Sequence, residues 1–232
     1  MSEKLTVQTP DGSFDCYVAR PAAPGPHPVL IVIQEIFGVN AGIRSIADDY
    51  ARKGYIAVCP DLFWRTEPGL SMSEAKEGDW AKGIALYQAY DVDRGVQDIA
   101  AAISAVRTMD DASGKVGVTG YCLGGLMTFL SAARTDADAF AAYYGGGTDK
   151  YVDEAENIGA PLLYHLAGED EYIDKAAQAK ITGALAGKEN VEVYTYPGRN
   201  HAFARPGGNH YDDADARLAN GRTDAFFART LR

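Results

Sequence analysis

Apolar and polar positions along the chain switch repeatedly between two periods. "KLTVQT" and "FDCYVA" flank "PDGS". Pro-Asp-Gly is a turn signal, so the first twenty residues are read as an antiparallel hairpin. A Pro-rich connection over 20–28 leads into "VLIVIQ" (29–34), a continuous apolar run. Such a run is expected of a strand covered on both faces, as in a parallel sheet between helices. Beyond it, "IRSIADDYARKG" is predicted as an amphipathic helix ending at Gly54 and "YIAVCP" as a strand. "VQDIAAAISAVRTM", "GGLMTFLSAAR" and "YIDKAAQAKITGALAG" are predicted helices, with a last one near 211–230. "KVGVTG", "AFAAYYGG", "PLLYHLAG" and "VEVYTYPG" are the intervening strands. This alternation predicts an open α/β sheet of about eight strands, mostly parallel, wound on both faces and entered through the hairpin. No linker or internal repeat divides the chain, so residues 1–232 are expected to form a single domain. Residues 61–90 depart from the alternation, mixing turns with a short helical pattern around both tryptophans. A long excursion of this kind is more often functional than idle, and it is read as a site wall.

Composition sharpens this chiefly by exclusion. The formal charge is −10, with 32 acidic against 22 basic residues and no dense Lys/Arg cluster. Binding to nucleic acid phosphates or to an anionic membrane surface needs the opposite balance. No apolar run approaches the roughly 18 residues of a membrane-spanning helix. The opening "MSEKLTVQTPDG" lacks a basic segment followed by an apolar one, so no signal peptide is expected. Cysteines stand only at 16, 59 and 122, with no Cys-x-x-Cys pair. That set suits neither a disulfide framework nor a zinc site, and it points to a reducing cytoplasm.

Ligands of open α/β sheets sit at the carboxyl ends of the strands. Four reactive residues fall just after predicted strands: Glu35, Cys122, Asp170 and His201. Gly120-Tyr121-Cys122-Leu123-Gly124 has the form glycine-x-nucleophile-x-glycine, between a strand and a helix. A sharp strand-to-helix turn strains the nucleophile and crowds the residues two before and two after it, which must be tiny. The helix N-terminus then directs its dipole and free N–H groups at the sulfur. A small buried cysteine beside a glycine-rich helix start is the plain alternative. A thiol is mostly protonated at neutral pH and needs a base or a field to activate it. The order Cys122, Asp170, His201 is the nucleophile–acid–histidine order of α/β-hydrolases. Among the histidines, His27 lies in a Pro-rich turn, His165 within a strand and His210 beyond the loop, which leaves His201 as the base. Asp170 has rivals in Glu169 and Glu171, and "GEDE" would equally suit a solvated acidic turn.

With these residues in place, the chain resembles the dienelactone hydrolase family of α/β-hydrolases along most of its length. The likeness rests on "QEIFGVN" (34–40), "GYIAVCPDLF" (54–63), "YQAYD" (87–91), "GVTGYCLGG" (117–125), "AGEDEYI" (167–173) and "NHAFAR" (200–205). It implies the α/β-hydrolase fold and a Cys-His-Asp triad of Cys122, His201 and Asp170 acting by acyl transfer. It also implies an oxyanion hole made by the N–H groups of Ile36 and Leu123. Glu35 corresponds to the glutamate that keeps the resting thiol protonated, which shields it from oxidation. Arg205 corresponds to the arginine that pairs with that glutamate and with a substrate carboxylate. The family's second carboxylate-binding arginine has no counterpart, because residues 67–90 hold no arginine. Its place falls at or beside Trp80. Lys76 and Lys82 are near in sequence, but an ammonium lacks the bidentate fork. Phe37, Trp64, Tyr87 and Tyr143 are further candidates for the pocket wall.

The expected activity is hydrolysis of a small ester or lactone. The resemblance puts dienelactone (carboxymethylenebutenolide) first, with maleylacetate as product and a place in the breakdown of aromatic compounds. A less charged ester or lactone and a peroxide-sensing thiol protein are the competing readings. No cofactor or metal is expected. The partner is a small molecule, not nucleic acid or membrane, and the chain is expected as a monomer or small homo-oligomer.

Overall fold

The structure, a computed structural model, describes residues 3–232. Met1 and Ser2, the start of the stretch read above for a leader, lie outside the described residues. Among the described residues one eight-stranded sheet runs in the order β1 (Glu3–Thr9), β2 (Gly12–Ala19), β4 (Ile56–Pro60), β3 (His27–Ile33), β5 (Ala112–Tyr121), β6 (Ala139–Tyr143), β7 (Leu162–Ala167), β8 (Val191–Tyr196). The chain divides within β5 (Ala112–Tyr121) into two units, one ending at Val118 and the other beginning at Thr119.

In the first unit, β1 (Glu3–Thr9) and β2 (Gly12–Ala19) form the expected hairpin, with Leu5 opposite Cys16 and Thr9 opposite Gly12. Thr9 closes the turn by donating its hydroxyl to Asp11 and to the Gly12 carbonyl, both at 3.0 Å. β2 runs antiparallel to β4 (Ile56–Pro60), and β3 (His27–Ile33) runs parallel to β4. Val29–Ile33 are wholly buried, as their unbroken apolar run requires. Helix α1 (Ala41–Arg52) packs on β2, β3 and β4, and its start is capped by Asn40, which accepts the Ile43 N–H at 3.1 Å. Helix α3 (Val92–Arg107) is capped in the same way by Asp91. The excursion between β4 and α3 contains α2 (Asp79–Ala89), the short helix its pattern predicted. Its loop is fixed by carboxylates: Asp61 accepts the N–H groups of Phe63 and Gly69, and Arg65 spans Asp11 and the buried Asp98. Trp64 donates its indole N–H to Asp98 at 2.9 Å and packs on Phe14, so it braces the loop rather than standing free for a ligand.

In the second unit, β6 (Ala139–Tyr143), β7 (Leu162–Ala167) and β8 (Val191–Tyr196) are parallel neighbours, with Phe140 opposite Leu162 and Leu162 opposite Val191. Helix α4 (Leu123–Arg134) is buried along nearly its whole length and packs on β6. Each fully buried Leu or Phe on it contributes about 1.5–3 kcal/mol relative to exposure. Helix α5 (Lys175–Leu185) lies against β8, and α6 (Asp213–Thr230) against β6 and β7. Two 3-10 turns, Thr148–Lys150 and Val152–Asn157, follow β6 and lack any periodic signal in the sequence.

Candidate active site

β5 stays buried through Tyr121, and the chain then reverses at Cys122, whose φ of 56° and ψ of −114° lie outside the usual regions for a residue with a side chain. Strain of this kind costs about 1–3 kcal/mol and persists only where the surroundings over-determine it. Here the Cys122 N–H is held by the Tyr143 carbonyl at 3.2 Å, and its C=O accepts from Gly125 and Leu126 of α4. Gly120, one of the two expected glycines, is a steric necessity, and so is Gly125, the neighbour of the other. A Cβ at Gly120 would lie 2.2 Å from the Gly124 oxygen, and one at Gly125 would lie 2.2 Å from the Tyr143 oxygen. Leu123 opens the helix, so its N–H belongs to the first turn that no intrahelical carbonyl satisfies. Cys122 is half-buried and thus open to a ligand, whereas Cys16 and Cys59 are buried and their thiols are pushed well up by burial.

Asp170 follows β7 and His201 follows β8. The His201 ring donates from Nδ1 to both carboxylate oxygens, at 2.9 and 3.1 Å. Asp170 Oδ1 also accepts the N–H groups of Tyr172 and Ile173, which fixes the carboxylate plane. Its rivals point elsewhere: Glu169 pairs with Lys175, and Glu171 reaches Asn200. On the far side of the ring, Nε2 is buried without a hydrogen-bond partner, and Cys122 acts electrostatically on the ring. Burial alone would pull the imidazole down, but the charge of Cys122 and the Asp170 hydrogen bond outweigh it, so His201 is pushed up to about 10. A buried imidazole held by a carboxylate on one nitrogen, with a cysteine beside it, can in chemical principle pass a proton.

Two aromatic residues that sequence reasoning missed enclose His201. Tyr172 stands edge-on to the ring at 5.0 Å and Tyr144 at 5.1 Å. Tyr172 is 50% exposed, and the charges of Cys122 and Arg205 both bear on its hydroxyl. Tyr144 has φ 36° and Ala202 has φ 61°, so strained backbone recurs at Cys122 and on both sides of the histidine. Tyr143, expected in the pocket wall, is instead fully buried, with its hydroxyl on Thr223 at 2.6 Å. β6 ends at Tyr143, and the turn that follows puts Tyr144 on the site side. Arg205 is half-buried, its N–H held by the Ala202 carbonyl.

The remaining candidates belong to the first unit. Glu35 is buried just after β3, and Ile36 and Phe37 follow it in the same buried stretch. Phe37 packs on Trp80 with ring centres 5.6 Å apart, and Trp80 keeps 38% of its surface exposed. Tyr87 lies half-buried further along α2. Gly83 lets α2 approach Ile36, since a Cβ there would come 3.1 Å from the Ile36 oxygen. Among the described residues no group of His, Cys, Asp and Glu is placed to hold a metal ion, and no helix is long and apolar enough to cross a membrane.

A mostly parallel eight-stranded sheet, with a strained residue between β5 and α4, defines an α/β-hydrolase. The sequence profile of the dienelactone hydrolase family matches residues 14–231, and the chain belongs to that family. A provisionally assigned carboxymethylenebutenolidase of Azospirillum brasilense is 45% identical over 222 residues, covering 95% of each chain. The carboxymethylenebutenolidase of Pseudomonas putida is 37% identical, over 98% of this chain and 97% of its own. Among solved structures, a provisionally assigned dienelactone hydrolase of Klebsiella pneumoniae superposes with a TM-score of 0.86 at 28% identity, covering 99% of this chain and 98% of its own. The protein is accordingly a hydrolase acting on an ester or lactone.

Proposed function

We propose that the protein hydrolyses a small lactone through Cys122, His201 and Asp170. One observation carries the reading: His201 is held by Asp170 at 2.9 Å on one nitrogen and faces, with the other, a thiol on a strained strand-to-helix turn. In this mechanism the Cys122 thiolate attacks the carbonyl carbon and forms a C–S bond. The tetrahedral oxyanion accepts a hydrogen bond from the Leu123 N–H and, by family resemblance, one from Ile36. As the ring C–O bond breaks, His201 Nε2–H gives its proton to the departing oxygen. Water then attacks the thioester while His201 takes its proton; the C–S bond breaks, releasing the carboxylic acid and the thiolate. Asp170 holds the Nδ1–H tautomer throughout. No step calls for a cofactor.

A thiolate leaves a tetrahedral intermediate easily, so only an ester whose own alcohol is a good leaving group goes forward. Enol lactones meet that demand, and the named activity of the relatives supports dienelactone as the substrate, with maleylacetate formed after the released enol tautomerises. Arg205 would take the substrate carboxylate and Glu35 would guard the resting thiol, both on the family resemblance. A less charged lactone is the second reading. The absence of arginine from 67–90 and the exposed Trp80 beside Phe37 favour it. The sparse free cysteines support a reducing, cytoplasmic setting.

The test has two arms. Cys122→Ala is expected to lower kcat/KM on p-nitrophenyl acetate by at least about a thousandfold; wild-type rates in that variant would sink the mechanism. Rates on dienelactone beside uncharged lactones then choose the substrate, since equal rates would favour the less charged class.

A further inference from the structure

The catalytic acid and base sit on separate loops, and the structure shows what joins them. β7 and β8 stay paired just past their ends, through Gly168 N–H to the Tyr196 carbonyl at 2.8 Å and Glu169 N–H to the Arg199 carbonyl at 2.7 Å. There the backbone ladder stops, one residue before Asp170. The Asn200 side chain takes over. Its Oδ1 accepts the Glu171 N–H at 2.9 Å and the His201 N–H at 2.6 Å. Two backbone donors from two loops thus converge on one oxygen, and they fix which way the amide points. Its Nδ2 reaches the Glu171 carboxylate at 3.3 Å and His210 Nε2 at 3.4 Å, while His210 Nδ1 donates to the His201 carbonyl at 3.1 Å. Asp170 is therefore bracketed by two anchored residues, and His201 is anchored at both its N–H and its C=O.

We propose that Asn200 is a positioning residue: its amide oxygen clamps the Asp170 loop to the His201 loop and so sets the hydrogen bond that orients the base. It touches neither substrate nor the reacting atoms. The strain at Ala202 makes the clamp necessary, because a loop forced to φ 61° one residue after the base would otherwise relax by turning the imidazole. His210 is the lesser partner, 39% exposed and joined to the amide by the longest of these bonds.

This inference rests on the triad reading, and its test separates the two. Asn200→Ala and Asn200→Asp are compared with wild type for kcat and KM on p-nitrophenyl acetate and for the downfield proton resonance of His201 Nδ1, identified by its loss in His201→Gln. Removing the acceptor should lower kcat about tenfold or more with KM changed less than about threefold, as misplacement of a catalytic group does. The resonance should broaden or move. Asn200→Asp keeps an oxygen for both N–H groups and, made together with Glu171→Gln so that no second carboxylate opposes it, should retain the resonance and most of kcat. Wild-type turnover with an unmoved resonance in Asn200→Ala overturns the proposal, and so does equal damage in two folded variants. If Asn200→Ala does not fold, Asn200→Asp with Glu171→Gln decides alone: near-wild-type turnover supports the clamp and a tenfold loss overturns it. Should Cys122→Ala prove fully active, the triad reading fails, and the resonance still reports whether Asn200 holds His201 to Asp170.

Discussion

His165 and His201 are both buried and both packed among aromatic rings, yet they titrate in opposite directions. His165 sits inside β7 and meets only neutral partners, the Tyr196 hydroxyl at Nδ1 and the Thr223 hydroxyl at Nε2, each at 2.9 Å. Arg222 donates to the Tyr196 oxygen, so that hydroxyl donates to Nδ1, and the ring must carry its hydrogen on Nε2. The chain of donors continues from Nε2–H to Thr223, then to the Tyr143 hydroxyl and on to Asn220. Every hydrogen is committed, and burial, with Arg222 adding to it, pulls His165 down to about 3. His201 suffers the same burial but faces a carboxylate and a thiol, and it is pushed up to about 10. Partner charge decides the state of a buried imidazole; depth does not. The core histidine is wired to stay neutral, and the site histidine is placed to carry a proton.

Making His201 more like His165 should produce the largest effect. Asp170→Asn replaces the charged partner with a neutral one, and kcat should fall by about a hundred- to ten-thousandfold as the tautomer is lost. The His201 titration, followed by NMR, should also move down from about 10. An unmoved titration would mean that the thiol alone sets it. The next effect concerns stability. The folded value of His165 lies below its unfolded value, so its contribution is present above about pH 6.5 and is lost as pH falls towards 3. His201 has the opposite sign: its contribution is present below about pH 6.5 and is lost as pH rises through about 10. In His165→Gln the acid limb of urea midpoints between pH 6 and 4 should flatten, by up to about 1.4 kcal/mol per pH unit. An identical acid slope in the variant would remove His165 as its cause. The smallest effect is expected at Tyr172. Tyr172→Ala opens one face of His201 to water, and kcat/KM on p-nitrophenyl acetate should fall about three- to tenfold, the worth of one aromatic contact.

The contrast between the histidines was partly legible in the sequence. A histidine within an apolar run reads as core, as His165 is in β7; one in a glycine-rich loop after a strand reads as a base, and the loop after β8 brings His201 to Asp170. Strand–helix alternation likewise placed the elements, because their periods are local properties of the chain. What stayed hidden depends on contacts between segments distant in sequence. Nothing near Tyr172 announces that it meets His201, nor near Asn200 that it meets Glu171, since those contacts join two connections after different strands. Tyr143 and Tyr144 show how fine the margin is. Successive residues at a strand end point to opposite sides, so a predicted strand running past Tyr143 exchanged a core side chain for a site one. Trp64 misled for a related reason. An aromatic ring in a long loop looks available until its indole N–H is found on Asp98.

The order of the site along the chain has a consequence in time. Cys122 emerges from the ribosome well before Asp170 and His201, and at about 5–20 residues per second it waits several seconds for them. During that interval no carboxylate-held imidazole exists to draw off its proton, and the elbow itself is secured only once β6 supplies the Tyr143 carbonyl. The nascent cysteine is therefore an ordinary thiol, no more prone to oxidation or misplaced acylation than any other. On the proposed mechanism its reactivity arrives last, with the closing of β8, so that a chain which stalls or misfolds midway never carries the weapon of the finished enzyme.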